Sequence, residues 1–361
     1  MTWTPETLIR PEIREQSAYP VPPSGGLIKL DAMENPYEWP ESLRRPWAEH
    51  LAGVAVNRYP DPRAGDLVAA LRRVMGIPGG AQVMLGNGSD ELIQILLMAL
   101  AGPGRVVMAP EPAFVMYRTV ARWLGMEYVG VPLREDFALD LPALHRALEI
   151  HRPAVLFLAY PNNPTGNLWP REAVEQLIES APGLVVVDEA YSPFAADSFL
   201  PAAGSHPRLL VMRTVSKLGL AGLRLGYLCG PAPWLEQLDK LRLPYNVNTL
   251  TQAAACFALE HHDVLEAQAT AIRRDREALY RGLQALEGIE PFPSEANFIL
   301  FRTPTGRARS LFEGIRARGV LIKDLSGQGG LLTDCLRVTV GTPGENARFL
   351  DALTGALAGG D

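Results

Sequence analysis

A lysine set among small and apolar residues is hard to explain by solubility. Lys217 stands in Met212-Arg-Thr214-Val-Ser216-Lys217-Leu-Gly219-Leu-Ala-Gly222-Leu-Arg224-Leu-Gly226-Tyr227. Such surroundings desolvate an amine, lower its pKa and make it nucleophilic enough for a Schiff base. Thr214, Ser216 and Arg224 bring donors suited to a phosphate. Three other loops carry chemistry-bearing types. In Gly86-Asn-Gly88-Ser89-Asp90-Glu91 a strand pattern gives way to a helix pattern, whose first N–H groups suit an anion. Glu91 occupies the third glycine position of a dinucleotide fingerprint, and Ser89 and Asp90 equally suit a plain capped helix. In Tyr160-Pro-Asn162-Asn163-Pro-Thr-Gly166 prolines fix a loop that either holds the Asn163 amide towards a ligand or forms a bare turn. In Val185-Val-Val-Asp188-Glu189-Ala-Tyr191 a carboxylate follows a fully apolar run, which is costly unless a cation or donor meets it; the alternative is a cap on the next helix.

Each of these loops follows a short apolar run, and ligands gather at the carboxyl ends of strands in open α/β sheets. The runs Gln82–Leu85, Val106–Ala109, Tyr128–Val131, Ala154–Tyr160, Leu184–Val187 and Leu209–Met212 read as buried strands. Helical patterns over Ser89–Ala101, Phe114–Leu124 and Arg171–Ser180 lie between them. This alternation predicts an α/β fold with a mostly parallel sheet covered on both faces. From about residue 251 a long helical pattern, Gln252–Leu286, leads into strand-like Asn297–Arg302, helical Arg307–Arg318, strand-like Gly319–Lys323 and Cys335–Val340, and a last helix. The expected organisation is an N-terminal arm over 1–45 that also contributes to the smaller domain, a large domain over 46–250, and a small α+β domain over 251–361.

Composition narrows the function. Hydrophobic residues make up 47% and charged residues 20% of the 361, enough apolar surface for a large core and no sign of extensive disorder. The formal net charge of −6 gives no overall positive field for nucleic acid. Cys229, Cys256 and Cys335 make an odd count without C-x-x-C spacing, against a disulfide framework or a cysteine zinc site. His261-His262 lacks carboxylate partners at metal spacing, and no G-x-S-x-G occurs. Neither a signal-peptide core nor a bilayer-length apolar run is present, so a soluble cytoplasmic protein is expected.

Taken together and in this order, the loops resemble those of the pyridoxal-phosphate aminotransferases of fold type I. The likeness runs from Leu30-Asp-Ala-Met-Glu-Asn-Pro-Tyr37 through Asn163, Asp188 and Lys217 to Cys335-Leu-Arg337-Val-Thr-Val-Gly-Thr-Pro343, and it is strongest with the histidinol-phosphate aminotransferases. It implies a large domain with a seven-stranded-type sheet, pyridoxal 5'-phosphate as cofactor, no metal, and a homodimer with shared active sites. By the same resemblance Lys217 would anchor the cofactor and shuttle the proton, while Asp188 would pair with the pyridinium nitrogen. Tyr191 and Asn163 would hydrogen-bond the ring's phenolic oxygen, and Phe114 would lie on the ring face. The cofactor phosphate would be held by Ser89, Asp90, Ser216 and Arg224, with Tyr59 donated from the neighbouring subunit. Arg337, Lys323, Tyr19 and Tyr245 would contact substrates, and Asn297 would order the neighbouring strand.

The expected reaction is transfer of an amino group between glutamate/2-oxoglutarate and histidinol phosphate/imidazole-acetol phosphate. The same fold would also carry an aromatic aminotransferase or a phosphothreonine-type decarboxylase. A non-catalytic ligand-binding module is disfavoured by the retained lysine.

Overall fold

A computed structural model describes residues 3–18, 22–23 and 25–359. Tyr19 lies outside the described residues. The strands are β1 (Ile28–Lys29), β2 (Gln82–Gly86), β3 (Val106–Glu111), β4 (Glu127–Pro132), β5 (Val155–Ala159), β6 (Leu184–Asp188), β7 (Leu209–Thr214), β8 (Gly226–Gly230), β9 (Glu290–Pro291), β10 (Phe298–Arg302), β11 (Val320–Leu321), β12 (Lys323–Asp324) and β13 (Cys335–Thr339).

β5 and β6 are buried along their whole length, as β-branched and apolar runs must be when helices cover both faces. They are central in a seven-stranded sheet of order β2-β8-β7-β6-β5-β3-β4. The pairs β3–β4, β3–β5, β5–β6 and β6–β7 are parallel. β8 runs antiparallel to both β7 and β2, and the sequence reading missed it because glycines at both of its ends lower its strand signal. Helices Ser89–Leu100 and Val115–Trp123 pack on one side with Met84, Val107, Phe157 and Val186. The other face packs with Leu67, Leu144, Val174 and Leu177.

A second core forms around the four-stranded antiparallel sheet β12-β13-β10-β9, covered by Ala308–Ala317 and Pro343–Ala358. The arm does not fold by itself: β1 pairs in parallel with β11, and Leu30 is buried in this second core. The single helical pattern over Gln252–Leu286 is two helices, Thr249–Glu260 and His262–Gln284, parted at His261. The first packs against Glu41–Ala52 and Gly65–Met75, the second against the four-stranded sheet. Two burial partners require two helix directions, and the break supplies them.

Candidate active site

Four strand ends on the large sheet converge on one cleft. Phe114 follows β3, Asn163 follows β5, Asp188 ends β6 and Lys217 follows β7; all four line a cavity enclosing about 1050 Å³, its open mouth included. This is the crevice at the carboxyl ends of parallel strands, on both sides of the point where strand order reverses between β3 and β5.

Two acids stand at the end of β6, and the fold treats them differently. Glu189, 0% exposed, is neutralised by Arg213, whose Nε and Nη2 donate to its Oε2 at 2.9 and 2.7 Å. Asp188 is 5% exposed and forms no salt bridge among the described residues. Its partners are neutral donors: the Tyr117 hydroxyl to Oδ2 at 2.6 Å and the Ala190 N–H to Oδ1 at 3.1 Å. Burial therefore dominates and pushes the Asp188 carboxyl up to about 6, against the pull of those two hydrogen bonds. A carboxylate so placed is ready for a cationic N–H arriving from the cavity.

Lys217 presents its amine to the same space. Its stem is partly open to the cavity, yet burial outweighs the nearby acids and, with the Arg337 charge next in size, lowers its pKa to about 8. Nζ donates to the Ala32 carbonyl at 3.4 Å and lies 5.8 Å from the centre of the Tyr191 ring.

At the far end of the cavity is an anion cup. Ser89 opens the helix Ser89–Leu100, Thr214 Oγ1 donates to Ser216 Oγ at 2.9 Å, and Arg224 Nη1 donates to Ser216 Oγ at 3.4 Å. Two close approaches make the cup. A Cβ on Gly88, whose φ is +85°, would lie 2.7 Å from Arg224 Nη2, and one on Gly226 would lie 2.6 Å from the Ser89 nitrogen. Asp90 sits 3.5 Å from Arg224. Two short 3-10 turns, Ser216–Leu218 and Ala221–Leu223, bring Arg224 back beside Ser216.

The small sheet does not line the cavity itself but reaches its lining residue Asn163 through Arg337. Arg337 on β13 donates from Nη1 to Asn163 Oδ1 at 2.5 Å and from Nη2 to the Asp31 carbonyl at 3.3 Å. Asn163 in turn donates to the Tyr191 hydroxyl at 3.0 Å. Lys323 stands directly opposite Arg337 in the β12–β13 pair, so both side chains share one face. Asn297, 0% exposed, donates to the Met33 carbonyl at 3.0 Å.

Tyr59 and Tyr245 are not brought to this cavity. They stack on each other, ring centres 4.5 Å apart, 81% and 39% exposed. Tyr245 borders a separate hollow with Asp61, Arg242 and Asn246, because Arg242 and Asn246 tie its loop to the Pro62 and Leu85 carbonyls. Tyr117 is the site residue that sequence reasoning overlooked; its spacing of three from Phe114 at a helix start placed both on one face.

With this geometry in place, the family model "Aminotransferase class I and II" matches residues 26–353. The chain belongs to the class I and II aminotransferases. This aminotransferase is 59% identical over 345 residues to histidinol-phosphate aminotransferase 2 of Nitrosococcus oceani, with 96% of each chain covered. It is 54% identical over 357 residues to histidinol-phosphate aminotransferase 2 of Cupriavidus pinatubonensis, covering 98% of this chain and 97% of that one. Among solved structures it resembles histidinol-phosphate aminotransferase from Sinorhizobium meliloti in complex with pyridoxal-5'-phosphate, at a TM-score of 0.87 and 25% identity over 98% of both chains. The aminotransferase thus has the fold type I architecture that its loops implied.

Proposed function

We propose that this chain is a pyridoxal-phosphate-dependent transaminase exchanging an amino group between glutamate/2-oxoglutarate and histidinol phosphate/imidazole-acetol phosphate, in histidine biosynthesis. The observation that carries the reading is one cavity joining a desolvated amine, a buried carboxylate without a cation, and a cup for an anion. The choice of substrate pair follows its relatives, which are 59% and 54% identical along nearly the whole chain.

The residues fit the cofactor. The cup of Ser89, Ser216, Arg224 and the helix terminus suits its phosphate, with the Gly88 and Gly226 approaches keeping that space open. Asp188 suits the ring nitrogen, Asn163 and Tyr191 the phenolic oxygen, and Phe114 a ring face. When bound, pyridoxal phosphate supplies an aldehyde that condenses with amines and a ring that withdraws electrons from the carbon bearing the amine. The chain supplies the rest. Lys217 Nζ would anchor the cofactor and then move a proton at the substrate's α-carbon, a task better matched by a pKa of about 8 than by 10.5. Asp188 holds the ring-nitrogen proton, and Tyr117 orients Asp188. Arg337 and its face neighbour Lys323 take the substrate anion, Arg337 by its planar fork.

We assign the cofactor-binding domain to 46–250 and the small domain to 251–361, with 1–45 as an arm across both. We further infer a cytoplasmic homodimer in which the exposed Tyr59, with Tyr245 stacked on it, serves the cavity of the partner subunit. A transamination assay offering histidinol phosphate beside phenylalanine and phosphothreonine tests the reading. Preferred use of histidinol phosphate is expected; turnover of either competitor in its place overturns it.

A further inference from the structure

Three carboxylates line the cavity: Asp188, Asp90 and Glu34. Asp188 lies under Tyr117 and Asp90 beside Arg224, so Glu34 is the acid with no part in the scheme above. Its backbone is held unusually firmly for an arm residue. Met33, one residue before it, has φ +55°, a left-handed conformation that costs a non-glycine residue on the order of 1 kcal/mol or more unless its surroundings enforce it. The enforcement is visible. Met33 N–H donates to Thr339 Oγ1 at 3.0 Å and Asn297 donates to its carbonyl at 3.0 Å. Asn35, one residue after Glu34, donates to the Leu218 carbonyl at 3.1 Å and to Gln268 Oε1 at 2.9 Å. The carbonyls of Asp31 and Ala32 receive Arg337 and Lys217. Residues 31–35 therefore form a strap fastened to both halves of the site.

The strap turns Glu34 towards the cavity, half-exposed, its carboxylate 2.5 Å from Lys29 Nζ. A surface ion pair alone is worth little and needs no strained strap behind it. We propose that Glu34 is a specificity-determining residue that accepts the N–H of the imidazole ring of the amino substrate. The inference rests on the functional reading above and deepens it. Histidinol phosphate carries a phosphate and an imidazole on either side of its amine-bearing carbon. Arg337 and Lys323 answer the first; among the acids of the cavity wall only Glu34 is left to answer the second. Glutamate has no such N–H and gains nothing from it.

The test follows each half-reaction separately by the absorbance change of the holoenzyme in single turnovers. Glu34→Gln should load cofactor as wild type does. It should slow amine transfer from histidinol phosphate about tenfold or more, the scale of one hydrogen bond to a charged acceptor, while changing the glutamate half-reaction less than about threefold. The penalty should vanish with phenylalaninol phosphate, in which a phenyl ring replaces imidazole. Equal losses in both half-reactions, no loss in either, or a penalty that persists with the phenyl analogue overturns the inference alone. A wild-type chain that leaves histidinol phosphate untouched overturns the functional reading and this inference with it.

Discussion

Replacing Tyr117 by Phe isolates one hydrogen bond. The ring is fully buried and stacks on Phe157 with centres 4.3 Å apart and planes 10° apart, so phenylalanine keeps the packing and loses only the 2.6 Å donation to Asp188 Oδ2. Burial and the Asp188 charge hold the tyrosine pKa well above 10, so its hydroxyl remains a donor across the working range. A hydrogen bond to a charged group contributes about 1.5–3 kcal/mol, which corresponds to a rise of about 1–2 units in the Asp188 pKa above its value of about 6. The sign follows from linkage. Asp188 binds its proton more tightly folded than unfolded, so ionising it costs stability, and that cost sets in as pH rises from about 4 through about 6. In the variant the cost continues to grow over the next one to two units. Urea unfolding of the apoprotein at pH 5 and pH 8.5 should therefore show a destabilisation that is larger at the higher pH by about 1.5–3 kcal/mol. A difference that does not change with pH would refute the coupling of Tyr117 to Asp188. Cofactor binding gives a second reading: the variant should lose affinity for pyridoxal phosphate but not for its analogue with carbon in place of the ring nitrogen.

Two further outcomes are expected. Because the Lys217 pKa is about 8, about one amine in ten is neutral at pH 7, against about one in three thousand at an ordinary lysine value of 10.5. The rate at which apoprotein takes up pyridoxal phosphate covalently should thus rise with pH and level off above about 8; a rise continuing to pH 10 contradicts the desolvated amine. Gly88→Ala should release cofactor at least tenfold more readily in equilibrium dialysis, since its Cβ would strike Arg224 at φ +85°, with about 1–2 kcal/mol lost from the apoprotein. Unchanged retention would show that the cup does not hold the phosphate.

The sheet was legible because β5, β6 and β7 are apolar along nearly their whole length and end in polar loops. Asp188 was legible because an acid after such a run demands a partner, but which of Asp188 and Glu189 would be neutralised was not: that depended on Arg213 reaching back from β7. β8 was hidden by its flanking glycines, and the break at His261 by a helical periodicity that continues through it. The strap was least legible. Its contacts join residues 185 and 306 positions apart, Ala32 with Lys217 and Asp31 with Arg337, and no local pattern in the arm announces them. Tyr245 illustrates the reverse: an aromatic near the motifs, carried out of its own cavity by the loop that Arg242 and Asn246 fasten.

The central claim is that the Lys217 amine takes the cofactor. Reduction of the pyridoxal-phosphate-loaded protein with borohydride, followed by proteolysis and mass mapping, tests it most directly. A single pyridoxyl-labelled peptide carrying Lys217, absent from Lys217→Ala, is the predicted result. Label on another lysine, or label that survives the substitution, would contradict it.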